Sequence, residues 1–186
     1  MNQNINRMLL PILALTLSPG LATAGEKRIL FGAQSEPDGS TYEVGFCARA
    51  KNNEGNGPGH AFVVLMKFDK DNRRTEFLTA GFGPPESRPV HPHGLISPEN
   101  YSHPTQECLI AETNKAKYTK VMSGIESETT YSFAGTTINL TRPYMVAFDD
   151  CVTFLQSVAR EFGLIVPSRI TGLLPVAYVK SLKAEN

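Results

Sequence analysis

The chain has 186 residues, 41% of them apolar, with 18 basic against 18 acidic side chains, three cysteines and no tryptophan. So even a charge balance argues against the basic footprint of a nucleic-acid partner, and the length suits one domain able to bury its own core. No internal repeat or low-complexity block interrupts it.

At the N-terminus, Arg7, the apolar stretch MLLPILALTL and the small-residue site Ala22-Thr23-Ala24 make the three-part pattern of a cleaved secretory signal. The apolar part is too short to span a bilayer, and no later stretch is apolar enough, so no transmembrane segment is expected. Cleavage between Ala24 and Gly25 leaves residues 25–186 as a single domain, periplasmic or secreted. Losing Arg7 takes one from the 18 positive charges, leaving 17 against 18 negative.

A first strand is predicted near Lys27–Phe31 and a second over Thr41–Arg49, followed by the connector KNNEGNGPG, whose Gly57-Pro58-Gly59 reads as a turn. HAFVVLMKF then reads as a central strand. Its partner, Glu76–Phe82, lies beyond the turn-rich DKDNRR, which predicts an antiparallel hairpin. Asp69, Asp71 and Asn72 in that turn lack the acidic series of a calcium loop. Gly83 to Glu107, with GPP, HPH, SPEN and SHP, is an irregular loop long enough to suggest a functional flap. Strands at Leu109–Thr113, Thr129–Phe133 and Tyr144–Phe148, a helix at Ala116–Glu126 and a final helix or strand over PVAYVKSLK complete the reading. The fold class is α+β, a short antiparallel sheet with helices packed on one side.

The firmest helix is DDCVTFLQSVAREFG. Cys151, Phe154, Leu155, Val158, Ala159 and Phe162 recur at offsets of three and four, with Thr153, Gln156, Ser157, Arg160 and Glu161 on the other face. Asp150 is the N-cap type, and Gly163 with Pro167 supplies the stop. Cys151 thus opens the helix on its buried side, where unpaired N–H groups and the dipole favour a thiolate and can hold an oxyanion. His60, at the mouth of the central strand, is the candidate base.

In an oxidising compartment, three cysteines allow one bridge and one leftover thiol. Cys47 and Cys108 are placed to pair across neighbouring strands, which frees Cys151. The alternatives are three buried small hydrophobes, or Cys151 in the bridge instead.

GHAFVVLMKF followed much later by YMVAFDDCVTFLQSVAREFGLIVP resembles the circularly permuted papain-like cysteine hydrolases, relatives of the NlpC-type cell-wall peptidases and of lecithin:retinol acyltransferase. The resemblance spans Cys47 to Leu182 and implies a permuted papain-like fold with Cys151 as nucleophile and His60 as general base and acid. It also implies a polar residue on the next strand to orient the imidazole. That strand, EFLTAGFG, offers Thr79 and then Glu76, neither a typical orienter, and a loop histidine is the remaining option. A second departure is Asp150 where relatives often carry asparagine, since a carboxylate there opposes a thiolate unless it is committed to capping.

His91, His93 and His103 invite a metal reading, but an H-x-H pair in a proline-rich loop lacks the spacing of a zinc site, and no metal is expected. No G-x-G-x-x-G or P-loop spacing occurs, so no nucleotide cofactor is expected either. The leading expectation is an exported thiol hydrolase acting on a cell-wall peptide amide or on an acyl-bearing small substrate. The alternatives are an acyltransferase or acylhydrolase of lipids, an exported binding module that keeps the fold without the chemistry, and a metal-dependent hydrolase built on the histidine loop. No protein partner is indicated.

Overall fold

The run HAFVVLMKF sits at the centre of the sheet because both of its faces are covered. In the computed structural model, residues 25–34, 36–50, 59–85, 88–99, 105–128, 133, 135–140, 142–169 and 174–186 are described. The strands are β1 (Glu26–Leu30), β2 (Thr41–Arg49), β3 (His60–Phe68), β4 (Arg74–Gly83), β5 (Val90–His91), β6 (Leu95–Ser97), β7 (Glu107–Thr113), β8 (Ile138–Asn139) and β9 (Tyr144–Met145). The helices are α1 (Lys115–Ser127), α2 (Cys151–Phe162) and α3 (Pro175–Glu185).

Seven strands form the main sheet in the order β1-β7-β2-β3-β4-β6-β8, and β5 pairs with β9 in a separate ribbon. On β3, Ala61, Val63 and Leu65 face the core shared with the three helices, while Phe62, Val64 and Met66 face a smaller cluster with Cys47, Cys108 and Ile110. A strand buried on both faces reads as a continuous apolar run rather than an alternation. Cys47 and Cys108, directly opposed on β2 and β7 with Cα atoms 4.2 Å apart, form a disulfide, and Cys151 is free.

The hairpin of β3 and β4 closes as expected. Asp69 Oδ1 accepts from the backbone N–H groups of Asp71 and Arg73, both at 2.9 Å, which accounts for the acidic turn without a bound ion. The α+β class and the one-sided helices also stand. α1 starts at Asn114, whose side chain accepts from Lys117 N–H, and it buries Tyr118, Val121 and Ile125. α2 ends at Gly163, held at φ 101° where a side chain would be strained. The ambiguous C-terminal segment is helical, with Pro175 in its first turn and Tyr178, Val179 and Leu182 fully buried.

Four expectations need correction. The sheet is long and mixed, because β1 lies parallel to β7 at one edge. The stretch from 83 to 107 carries β5 and β6 and is not irregular throughout. The strand expected at Tyr144–Phe148 stops after two residues. Asp149 folds back on Met145 and Ala147 takes the left-handed φ of 71°, which an extended strand cannot include. Gln156, assigned to the solvent face of its helix, is buried and its amide donates to Pro167 O at 3.3 Å. The predicted signal at residues 1–24 lies outside the described residues, as do residues 129–132 of the strand expected at Thr129–Phe133. No helix among the described residues is long and apolar enough to cross a membrane.

Candidate functional site

Asp150 opens α2 through a reciprocal cap. Its Oδ1 accepts from Val152 N–H at 2.9 Å and Thr153 N–H at 3.3 Å, and Thr153 Oγ1 accepts from Asp150 N–H at 2.7 Å. Its other oxygen accepts from Ala147 N–H at 2.8 Å, the residue in the left-handed conformation. Arg169 completes the set with two parallel bonds of 2.8 and 2.7 Å to the two carboxylate oxygens. Burial pushes the carboxyl up, but the Arg169 guanidinium and these N–H donors hold it below the ordinary aspartate range. The carboxylate is fully committed to the cap and to Arg169. Its quarrel with a neighbouring thiolate, raised by the sequence, is answered by those partners.

The next residue is Cys151, which is only 4% exposed. Among the described residues, two side chains reach its sulfur. Tyr144, in β9, hydrogen-bonds Cys151 through its hydroxyl, and burial, followed by the charges of Cys151 and Asp150, raises its pKa above the ordinary tyrosine value. His60 is the other.

His60 is the first residue of β3, directly opposite Arg49 on β2. It follows Gly59, whose φ of 100° and close approach to Arg49 O exclude a side chain, so a glycine is needed immediately before the histidine. The imidazole stacks at 6.2 Å and 17° against Phe62, two residues along the same face. Nε2 lies 2.8 Å from Glu99 Oε1, which leaves Nδ1 for the hydrogen bond to Cys151. Burial alone would push the imidazole down. Hydrogen bonds to Cys151 and Glu99, and the negative charge of both, outweigh it and raise the pKa to about 10.

Glu99 is the residue that the sequence reading missed. It sits in the SPEN segment just after β6, its side chain 6% exposed. Its backbone N–H donates to Thr79 Oγ1 at 2.8 Å, and Oε2 pairs with Arg49 Nη2 at 2.8 Å. Burial raises its carboxyl, but His60 and Arg49 bring it below the usual glutamate value. No spacing rule marks position 99. The only signal was that long loops in compact domains tend to carry function.

The other candidates fall elsewhere. Thr79 acts one step away, by anchoring Glu99. Glu76 accepts the Tyr118 hydroxyl, well along β4. His91 Nδ1 lies 2.7 Å from His93 O, and His91 pairs with Tyr144 across the β5–β9 ribbon. His103 lies outside the described residues. Among the described residues, no group of three or more His, Cys, Asp or Glu is arranged to hold a metal.

No family model, curated protein or solved structure matches the chain. Its chemistry is therefore read from its own geometry.

Gly81 tests that geometry. It lies on β4 opposite Phe62, and a methyl group built there would collide with Glu99 Oε1 and His60 Nε2. Gly81→Ala is expected to displace Glu99 from the imidazole and to slow iodoacetamide labelling of Cys151 at acid pH by up to about 10²-fold, the scale of a misplacement near 1 Å. Far-ultraviolet circular dichroism should stay unchanged. Unaltered labelling would mean that the histidine and glutamate do not need the space Gly81 leaves.

Proposed function

We propose that the chain is an exported thiol hydrolase with a permuted papain-like fold, cleaving an amide or ester through a covalent acyl-enzyme. The observation that carries this reading is the continuous chain of hydrogen bonds from Cys151 through His60 to Glu99, on a nucleophile at a capped helix start. His60 takes the thiol proton and the sulfur adds to the carbonyl carbon. The imidazolium then returns the proton to the leaving nitrogen or oxygen as the carbon–heteroatom bond breaks. Water, deprotonated by His60, cleaves the resulting thioester and regenerates the thiol. Glu99 accepts from the far imidazole nitrogen and stabilises its charge.

The oxyanion donors differ from a simple helix-start reading, because Asp150 occupies the N–H groups of Val152 and Thr153. The backbone N–H of Cys151 and the hydroxyl of Tyr144 are the groups proposed to receive the developing charge. Two departures from the family pattern favoured a binding module: no orienter, and a carboxylate beside the thiol. Glu99 and the Asp150–Arg169 pair remove both supports. An exported location makes cell-wall peptide amides the first substrate class to try, with acyl esters and thioesters second.

The deciding experiment follows iodoacetamide labelling of each cysteine against pH in the folded protein. Cys151 alone should react, and should still react well at pH 6, where an ordinary thiol of pKa about 8.5 is protonated. His60→Ala should confine that reaction to alkaline pH. A Cys151 that behaves as an ordinary thiol with or without His60 would sink the hydrolase reading and return the binding module to first place.

A further inference from the structure

Arg49 and His60 stand opposite each other at the ends of β2 and β3, so two groups able to carry positive charge share one end of the sheet. Like charges directly opposed on a sheet destabilise it. A carboxylate lies between these two. Glu99 gives Oε1 to His60 Nε2 and Oε2 to Arg49 Nη2, each at 2.8 Å, and the side chains of both cations are 20% exposed.

The orientation of that carboxylate needs a cause. Thr79 fixes the backbone of Glu99 but leaves its side-chain torsions free, and one bond to an imidazole does not prevent the carboxylate from turning. Arg49 supplies a second point of attachment on the other oxygen, with a planar, permanently charged group suited to it. Gly81 keeps the wall beneath the pair open.

We infer that Arg49 is a positioning residue of the proposed hydrolase, holding Glu99 by Oε2 so that Oε1 stays on His60 Nε2. The inference rests on the thiol-hydrolase reading, and it carries a sign that a merely neighbouring cation would not. Acting on His60 directly, Arg49 repels the imidazolium, so its removal would favour the charged imidazole and move the titration of the His60 ring to higher pH. Acting through Glu99, it keeps a negative charge aimed at the ring, and its removal moves that titration to lower pH. The two roles therefore predict opposite shifts.

The test is the titration of the His60 ring protons, followed by NMR against pH, in Arg49→Met, Arg49→Lys, Glu99→Gln and the double variant Arg49→Met/Glu99→Gln. Thermal melts check that each is folded, and Arg49→Gln replaces Arg49→Met if the latter is not. Glu99→Gln should lower the titration midpoint by about one pH unit. Arg49→Met should move it the same way by about half a unit to one unit, with most of the loss recovered in Arg49→Lys. In the Glu99→Gln background, removing Arg49 should cause no further fall, because its route to His60 is already cut. If Arg49→Met raises the midpoint, or overlays the wild type while Glu99→Gln shifts, the positioning role is overturned and the hydrolase reading survives. A Cys151 alkylation profile that His60→Ala does not move would overturn both.

Discussion

Cys151→Ala is expected to abolish turnover of the amide or ester substrate, by on the order of 10⁵-fold or more, while leaving substrate binding intact. The magnitude follows from the division of labour at the site. Without sulfur no acyl-enzyme forms, and Tyr144 with the helix start can only polarise a carbonyl that nothing attacks. His60→Ala should cost nearly as much, and the double variant little more than either alone, since nucleophile and base act as one unit. The pH dependence of turnover carries a second signature. His60 must be protonated to serve the leaving group, and its pKa is raised to about 10 by its hydrogen bonds to Cys151 and Glu99. The alkaline limb of kcat/KM should therefore lie far above the value of about 6.5 for a free imidazole. Activity that survives in Cys151→Ala, or that falls off at pH 7 as the imidazole deprotonates, would remove this chemistry from consideration.

How much of this was legible before the coordinates depended on whether the signal was local. β2, β3 and α2 lie where the sequence put them, because each carries its own pattern: nine strand-like residues ending at Arg49, a two-sided apolar run, and an apolar helical face bounded by Asp150 and Gly163. Cys151 and His60 were readable for the same reason, since each opens a well-defined element. The groups that serve them were not. Glu99 reaches His60 across 39 positions and Arg169 reaches Asp150 across 19, from segments with no periodicity of their own. The parallel edge pair of β1 and β7 was hidden likewise, because pairing direction depends on the path of the chain and leaves no local trace. Tyr144 was read as part of a longer strand, and the left-handed Ala147 that ends it is a residue type giving no warning of that conformation.

Asp150→Asn offers the sharpest contrast between pattern and structure. Asparagine is as good a helix N-cap as aspartate, so by pattern alone the change should be harmless. Here it should destabilise the fold by about 3–5 kcal/mol, because Arg169, whose side chain is 11% exposed, would keep a buried charge with no carboxylate to answer it. Arg169→Met should cost a similar amount by leaving Asp150 charged at 5% exposure. The double variant should recover a large part of either loss, since removing both charges of a buried pair is far less costly than leaving one of them unpaired. The pair also fixes the acid response. The folded-state pKa of Asp150 is depressed, so its contribution is fully present above the unfolded aspartate value of about 3.9 and is lost as pH falls through the lower folded value. Removing Arg169 takes away the guanidinium that lowers that carboxyl, so the loss should begin at higher pH. Denaturant unfolding of the three variants at pH 7 and down to pH 3 measures both effects. Single variants within about 0.5 kcal/mol of the wild type, or a double variant as unstable as the two losses summed, would show that the pair does not hold the entrance to α2.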